Sequence, residues 1–332
     1  MLRRTLHLYT ATILSLAAPL AAEEITVYGT KQTPSSVDVI KVRDEDRQVK
    51  TLGELLESRV GVQVTRYGSA GSYSSVYVRG ANANQLAVYI DGMPLSDSVF
   101  GETNFENIPI DSLERIEIYR SFAPLRFRTQ GIGGVINLVT KKKGGASGIS
   151  ASAGSFGTGR VSLFGNADSD GHSLLLTGSL AGSEGDFPFI NNNGTKFNAS
   201  DDFTDRRKNN GFGSANATAR YSYDGGFSAD ALSDLFVKRQ GLASYGNTAS
   251  HTFLETIRSL NSAALGFGDR KSMREEISCF LNVRRDTFDD SRKEIGLLAG
   301  RSVGTDLSFG AGSDFSAALP FQEFEFTASV QN

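Results

Sequence analysis

The sequence predicts an α+β domain followed by antiparallel strands of a transmembrane β-barrel, the whole preceded by an export signal. Three observations carry that reading. An apolar run near the N-terminus ends in small residues; residues 23–143 mix short helical and strand patterns; and from Gly148 onward apolar and polar residues alternate in segments of about ten.

The export signal comes first. Arg3 and Arg4 precede a mostly apolar run from Leu6 to Leu20, and Ala21 and Ala22 offer a cleavage point before Glu23 and Glu24. Residues 1–22 therefore read as a signal peptide, although Leu20 stands where a small residue is preferred. The run is too short to span a bilayer, and no later segment reaches the ~17–25 apolar residues that a spanning helix needs. The exported chain is then soluble or enters a membrane as strands.

Composition narrows the function. The 332 residues carry 34 Lys and Arg against 37 Asp and Glu, so no basic footprint points to nucleic acid. Cys279 is the single cysteine and the three histidines are scattered, which leaves no internal disulfide and no zinc spacing. Without a convergent nucleophile, base or metal set, an enzyme is not expected, and neither is a cofactor. With 36 Gly and only 7 Pro, the chain suits many strands joined by glycine turns.

The α+β domain has readable elements. Thr51 with Glu54 makes a capping-box spacing, Leu52, Leu55 and Leu56 share a helical face, and Gly61 stops the helix. Ser75 to Arg79 alternates as a strand. In Gln85–Leu95 the Asp91-Gly92 pair marks a hairpin, because both turn positions want φ > 0. A second short helix is expected near Asp111, before SLERIEIYRS turns into a strand. Gly131, Gly133 and Gly134 precede the β-branched run that ends at Thr140; phosphate loops follow a strand and open a helix, so close packing at a strand start is expected instead.

Beyond Gly148 the alternation is two-sided. Ala215, Ala217, Ala219, Tyr221 and Tyr223 oppose Ser214, Asn216, Thr218, Arg220 and Ser222, and Ile277, Cys279, Leu281 and Val283 oppose Glu276, Ser278, Asn282 and Arg284. Phe324 to Gln331 repeats the scheme. A soluble sandwich alternates too, so loop lengths decide. Turns at 168–171, 224–226 and 268–271 are short, whereas connections at 182–210 and 239–250 are long. Sorting of that kind belongs to membrane barrels.

With these residues in place, the chain resembles a TonB-dependent outer-membrane receptor. The resemblance rests on EITVY at 24–28, SSVYVRG at 74–80, VYIDGMPL at 88–95, IPIDSLERIEIYR at 108–120 and GIGGVINLVTKK at 131–142, in order behind an export signal. It implies a TonB box (Glu24, Ile25, Thr26, Val27, Tyr28), an N-terminal extension over 23–50, a plug over 51–143 and the first part of a barrel over 144–332. It also implies energised uptake of a scarce, bulky nutrient, cobalamin or an iron-siderophore, across the outer membrane of a Gram-negative bacterium. The partners are then a TonB-type inner-membrane protein and outer-membrane lipid. The short VYIDGMPL hairpin leans toward the cobalamin branch.

The extended, β-branched EITVY suits strand addition to a partner's sheet edge. Arg79, Gly80, Asp91, Gly92, Glu114, Arg115, Glu117, Arg120, Gly131, Gly133 and Gly134 are the plug-motif residues. Of these, Arg79, Glu114, Arg115, Glu117 and Arg120 are expected to seat the plug against the lumen wall through wet ion pairs of about 0–1 kcal/mol each. Tyr67, Tyr73, Phe100 and Phe105 are the candidate ligand contacts, and Asp201, Asp202 and Asp205 a weak calcium candidate. Two departures stand out. Residues 125–130 lack the aromatic-Gly pair common before the final glycine motif, and eight to ten candidate strands fall short of the ~22 that enclose a plugged lumen. The barrel is therefore expected to be incomplete and the chain truncated or part of a split receptor. The competing classes are a non-transporting channel or binding barrel and a plug-only remnant.

Overall fold

A computed structural model describes residues 37–95, 102–120, 123–124, 127, 132–143, 147–195, 197–269, 273–319 and 322–331. The signal peptide, residues 24–28, Phe100 and Gly131 lie outside them.

The first domain is built on a five-stranded sheet. Its strands β1 (Val37–Lys41), β4 (Leu86–Ile90), β5 (Met93–Pro94), β6 (Leu113–Tyr119) and β7 (Gly134–Thr140) lie in the order β1-β6-β7-β4-β5. Only the β4–β7 pair is parallel. A separate hairpin joins β2 (Val62–Arg66) to β3 (Ser74–Val78). Helices α1 (Asp44–Val49) and α2 (Leu52–Glu57) complete the domain. Helix α2 starts where the capping box places it: the Glu54 N–H donates to Thr51 Oγ1 at 3.4 Å and the Thr51 N–H to Glu54 Oε2 at 2.8 Å. It buries Leu52, Leu55 and Leu56, and Gly61 at φ +75° ends the segment. In the sheet Leu113, Ile116, Ile118, Ile136 and Leu138 are fully buried. Each contributes roughly 1.5–3 kcal/mol of apolar burial.

Two expectations change here. No helix begins at Asp111. A 3-10 turn occupies Phe105–Asn107, and Asp111-Ser112 leads directly into β6, because alternating Ile116 and Ile118 fill the core between β1 and β7. The stretch read as an extension supplies β1 and α1. Asp44, Glu45 and Asp46 crowd the first turn of α1, where the helix dipole favours acids, and Lys50 pairs with Asp46 at 2.7 Å.

The second region is one antiparallel sheet of nine strands in sequential order: β8 (Gly148–Ala153), β9 (Gly159–Ser169), β10 (His172–Ser183), β13 (Phe212–Asp224), β14 (Ser228–Gly241), β15 (Phe253–Asp269), β16 (Met273–Asp290), β17 (Gly300–Leu319) and β18 (Gln322–Gln331). A side hairpin, β11 (Pro188–Asn191) with β12 (Phe203–Arg206), rises from the long connection after β10. Turns at one end are tight, with Asp170 at φ +47° and Gly171 at φ +82°, and the long connections collect at the other end. No helix among the described residues is long and apolar enough to cross a membrane, so any crossing is made by strands.

The two faces of this sheet differ in kind. Leu163, Leu174, Leu176, Leu235, Ile257, Ile277, Leu281 and Leu307 stand exposed on the outward face, and Cys279 is exposed there too. Asn216, Thr218, Arg220, Ser222, Asp234 and Lys238 are buried on the inward face, over which the first domain sits. At the short-turn end, rings form an outward row: His172 lies 4.6 Å from Tyr223, Tyr223 5.0 Å from Phe227, and Phe227 6.5 Å from Phe267. From Phe227 along β14, the outward residues are Ala229, Ala231, Ser233, Leu235 and Val237 before Arg239. At ~3.3 Å per residue and ~40° of tilt, that rise is about 30 Å, the thickness of a hydrocarbon core. Strands β8 and β18 are the sheet's two ends, and both run toward the long loops. They would meet in parallel, so nine alternating strands cannot close antiparallel on themselves.

Candidate functional site

The site is the seat of the first domain on the inward face. Its centre is Arg220 of β13, whose side chain is 2% exposed. The guanidinium grips Asp230 of β14 with two bonds, Nε to Oδ2 at 3.0 Å and Nη2 to Oδ1 at 2.7 Å. Nη1 reaches across to Asp91 Oδ2 at 2.9 Å and also donates to Thr140 Oγ1. Asp91 can present its carboxylate because it lies in the hairpin turn at φ +47° followed by Gly92 at φ +84°. Thr140, at the end of β7, donates to the same carboxylate through its N–H (3.1 Å) and its hydroxyl (2.5 Å). One arginine therefore ties together the hairpin, the last strand of the domain and the wall.

Nearer the long loops, Asn107 plays the matching part. Lys238 of β14 donates to Asn107 Oδ1 at 3.1 Å and to the Gly71 carbonyl, while Arg258 of β15 donates to the Asn107 carbonyl at 3.2 Å. Arg258 also pairs with Asp234 at 3.1 Å, and Asn216 and Thr218 each donate to that carboxylate at 2.8 Å. Gln240 meets Ser72 at 3.1 Å, and Arg160 of β9 pairs with Asp111. Gly71 must be glycine, since a Cβ there would lie 2.4 Å from the Phe212 ring. Apolar contact is limited to Leu232 and Leu260, which extend the domain's core into the wall, and to buried Phe236.

Residues 30–135 match the family model described as the TonB-dependent receptor plug domain. The chain is a TonB-dependent receptor by its plug. The vitamin B12 transporter BtuB of Vibrio cholerae is 37% identical over 123 residues, covering 37% of this chain and 20% of that protein. The transporter of the same name from Photobacterium profundum is 32% identical over 137 residues, covering 41% and 22%. Among solved structures, the ferric enterobactin receptor PfeA of Pseudomonas aeruginosa superposes with TM-score 0.66 at 17% identity, covering 89% of this chain and 48% of that one. The chain thus spans about half the length of that receptor, and the likeness extends from the plug across the nine-stranded wall.

Several expected plug contacts are corrected. Glu114, Arg115, Glu117 and Arg120 pair within the plug rather than with the wall. Arg115 bridges Glu114 at 3.2 Å and Glu117 at 2.8 Å, and Arg120 reaches Asp38 of β1 at 2.9 Å. Glu117 accepts from Tyr119 and Asn137, each at 2.9 Å. Burial pushes its carboxyl upward, but Asn137, Tyr119 and Arg115 outweigh that and hold it below the usual range. These groups are held inside because β6 is the central strand joining β1 to β7. Arg79 sits at φ +52° before Gly80 at φ +78°, its N–H donating to the Gly61 carbonyl at 2.9 Å, a turn position. Gly133 and Gly134 pack where a Cβ would meet Ala81 at 2.6 Å and the Tyr119 carbonyl at 2.5 Å.

The pairs that do form the seat are not wet. Arg220 at 2%, Arg258 at 8% and Asp234 at 5% are buried beneath the plug. Removing one partner of such a pair strands the other's charge and costs roughly 3–5 kcal/mol, well above the 0–1 kcal/mol of exposed pairs.

The candidate ligand residues also sort out. Tyr67 is exposed, 5.7 Å from the Tyr73 ring, and shares a hydroxyl contact with Tyr77 at 3.2 Å. Tyr73 donates to Glu102 at 2.5 Å, and burial followed by that carboxylate raises its phenol above the ordinary value. Phe105 is corrected: at 2% exposure it belongs to the plug core and cannot stack on a ligand. The calcium candidate is corrected as well. Asp201 is taken by Thr195 at 2.7 Å and Asp205 by Asn247 at 2.6 Å and Asn191 at 3.2 Å, while Asp202 only caps the 3-10 turn. Among the described residues no group of three His, Cys, Asp or Glu forms a metal site. The unusual 125–130 stretch has its own anchor: fully buried Phe127 lies 5.0 Å from Tyr89 and 5.3 Å from Tyr119.

Asp111, Asn107, Lys238 and Arg258 were not singled out from the sequence. A signal existed for the wall side, because Leu232 and Phe236 interrupt the polar face of β14 with apolar residues that only a docked domain would cover.

Proposed function

We propose that the chain forms the plug and leading barrel wall of a receptor for energised uptake of a bulky nutrient across the Gram-negative outer membrane. The observation that carries this is the Asp91–Arg220–Asp230 bridge, which seats the plug on the inward face of a wall whose other face is apolar. In hydrocarbon the unpaired edges of β8 and β18 need partners, so further strands close the lumen around the plug. Cobalamin is the favoured cargo, supported by the identity to vitamin B12 transporters, with an iron-siderophore as the second. Residues 24–28 engage a TonB-type inner-membrane protein by strand addition, and tension there acts on β1, the adjoining edge strand of the plug sheet.

The test is uptake of labelled cobalamin and of a ferric siderophore by cells whose receptor carries this segment, with Val27→Pro as the comparison. Proline removes a main-chain donor from the box, so uptake should fall to background while surface binding persists. Uptake unaffected by Val27→Pro would remove the energised-transport reading. Failure of the chain to reach the outer membrane as a heat-modifiable species would remove the barrel reading.

A further inference from the structure

The loop after β14 (242–252) and the loop after β16 (291–299) meet at one carboxylate. The backbone N–H groups of Ser250, His251 and Thr252 all donate to Glu294 Oε2, at 2.9, 2.8 and 2.9 Å. The Thr252 hydroxyl reaches the same oxygen at 2.9 Å. The second oxygen, Oε1, accepts from the Ser250 hydroxyl at 3.0 Å and lies 3.3 Å from His251 Nδ1. Arg292 lies against the His251 ring. Asp290 fixes the approach: its carboxylate accepts the N–H groups of Glu294 at 2.6 Å and Gly296 at 2.7 Å and the Thr252 hydroxyl at 2.9 Å.

Three successive N–H groups converging on one oxygen, with hydroxyls on either side, form an anion-binding nest. The convergence is more than two loops need to stay together, and the second oxygen has its own donor, so the nest matches a carboxylate rather than a single halide. Charge-assisted bonds of this kind discriminate strongly against a neutral amide of the same shape. The occupant comes from the neighbouring loop and not from the loop that forms the nest.

We propose that Ser250–His251–Thr252 is a carboxylate-recognising subsite among the outer loops, with Glu294 as its resident competitor. A carboxylate on incoming cargo exchanges with Glu294, keeps the bond count unchanged and frees the 291–299 loop. The outer position rests on the receptor reading above; the binding chemistry does not.

The test uses the folded, ¹⁵N-labelled full chain in detergent, with acetate as probe and acetamide as its neutral isostere, at ionic strength fixed with chloride. Amide shifts of Ser250, His251 and Thr252 are followed in the native chain, in Glu294→Ala and in Glu294→Gln. Glu294→Ala should bind acetate at least tenfold more tightly than the native chain, Glu294→Gln should fall between them, and acetamide should leave all three amides unmoved. A folded Glu294→Ala chain with no saturable acetate response, or one that responds equally to acetamide, overturns the proposal and leaves a loop clamp. Should Glu294→Ala fail to fold, the Glu294→Gln titration decides on the same criterion. Loss of cobalamin uptake with acetate binding intact would count against the receptor reading alone.

Discussion

The interior of the plug and the surface on which it sits are held by opposite chemistries. Between β6 and β7 the contact is a close-packed layer of Ile116, Ile118, Ile136 and Leu138, all fully buried. Between plug and wall it is a small set of buried ion pairs and amide contacts around Arg220 and Asn107, with Leu232 and Leu260 as the apolar remainder. Apolar packing weakens gradually as a surface is pulled apart, whereas a directional ion pair is lost over a short displacement and can be replaced by water. A domain built this way can leave its seat while its own sheet survives, which is the behaviour a movable plug requires.

The comparison breaks most severely at its polar half. Arg220→Ala strands Asp91 and Asp230 beneath the plug and should weaken seating by roughly 3–5 kcal/mol. Hydrogen exchange should then rise in the hairpin around Asp91 and in β13, while the β6–β7 amides stay protected. Exchange rising equally in β6 and β7 would mean that plug and seat are one cooperative unit. Leu138→Ala probes the other half and should cost about 2–5 kcal/mol in plug unfolding by denaturant. It should leave the Arg220 contacts intact, as read by accessibility of a cysteine placed beside Asp230. Thr51→Ala removes the cap of α2 and should cost about 0.5–2 kcal/mol, confined to the plug. Smallest of all, Arg206→Ala in the outer hairpin breaks an exposed pair with Asp186 and should change stability by ~0–1 kcal/mol.

Acid sharpens the contrast further. The His251 N–H, opposed by burial and joined by the Ser250 and Thr252 donors, holds the Glu294 carboxyl well below the usual carboxylate range. A depressed folded value means that its stabilisation is present above the unfolded pKa of ~4.3 and is lost only as pH falls through the lower folded value. Exchange protection of the Ser250–Thr252 amides should therefore persist at pH 5; loss already at that pH would show that the carboxylate is not seated as described.

Much of the architecture was legible in the chain. The capping box at Thr51, the Asp91-Gly92 turn and the alternation of residues 215–223 each encode local geometry that neighbours in sequence enforce, so each formed as expected. The sorting of short turns from long loops gave the direction of the wall. Residues 37–50 were read as an extension because VDVIK and DEDRQV are too short to declare themselves; their structure comes from pairing with β6 and from tertiary cover. The helix expected at Asp111 failed for the same reason in reverse, since a strand's place between β1 and β7 overrode a local capping signal.

The sequence by itself determined which residues face lipid and which face inward, because period two in a strand assigns a side to every residue. It also located the turn that presents Asp91. Only the tertiary structure decided which inward charges meet the plug. Arg220 and Asp91 are separated by most of two domains in the chain, and Arg115 and Glu117 looked equally suited to the wall until β1 and β7 enclosed them. Partner choice among charges depends on which surfaces are desolvated together, and that is a property of the packed molecule rather than of any local stretch.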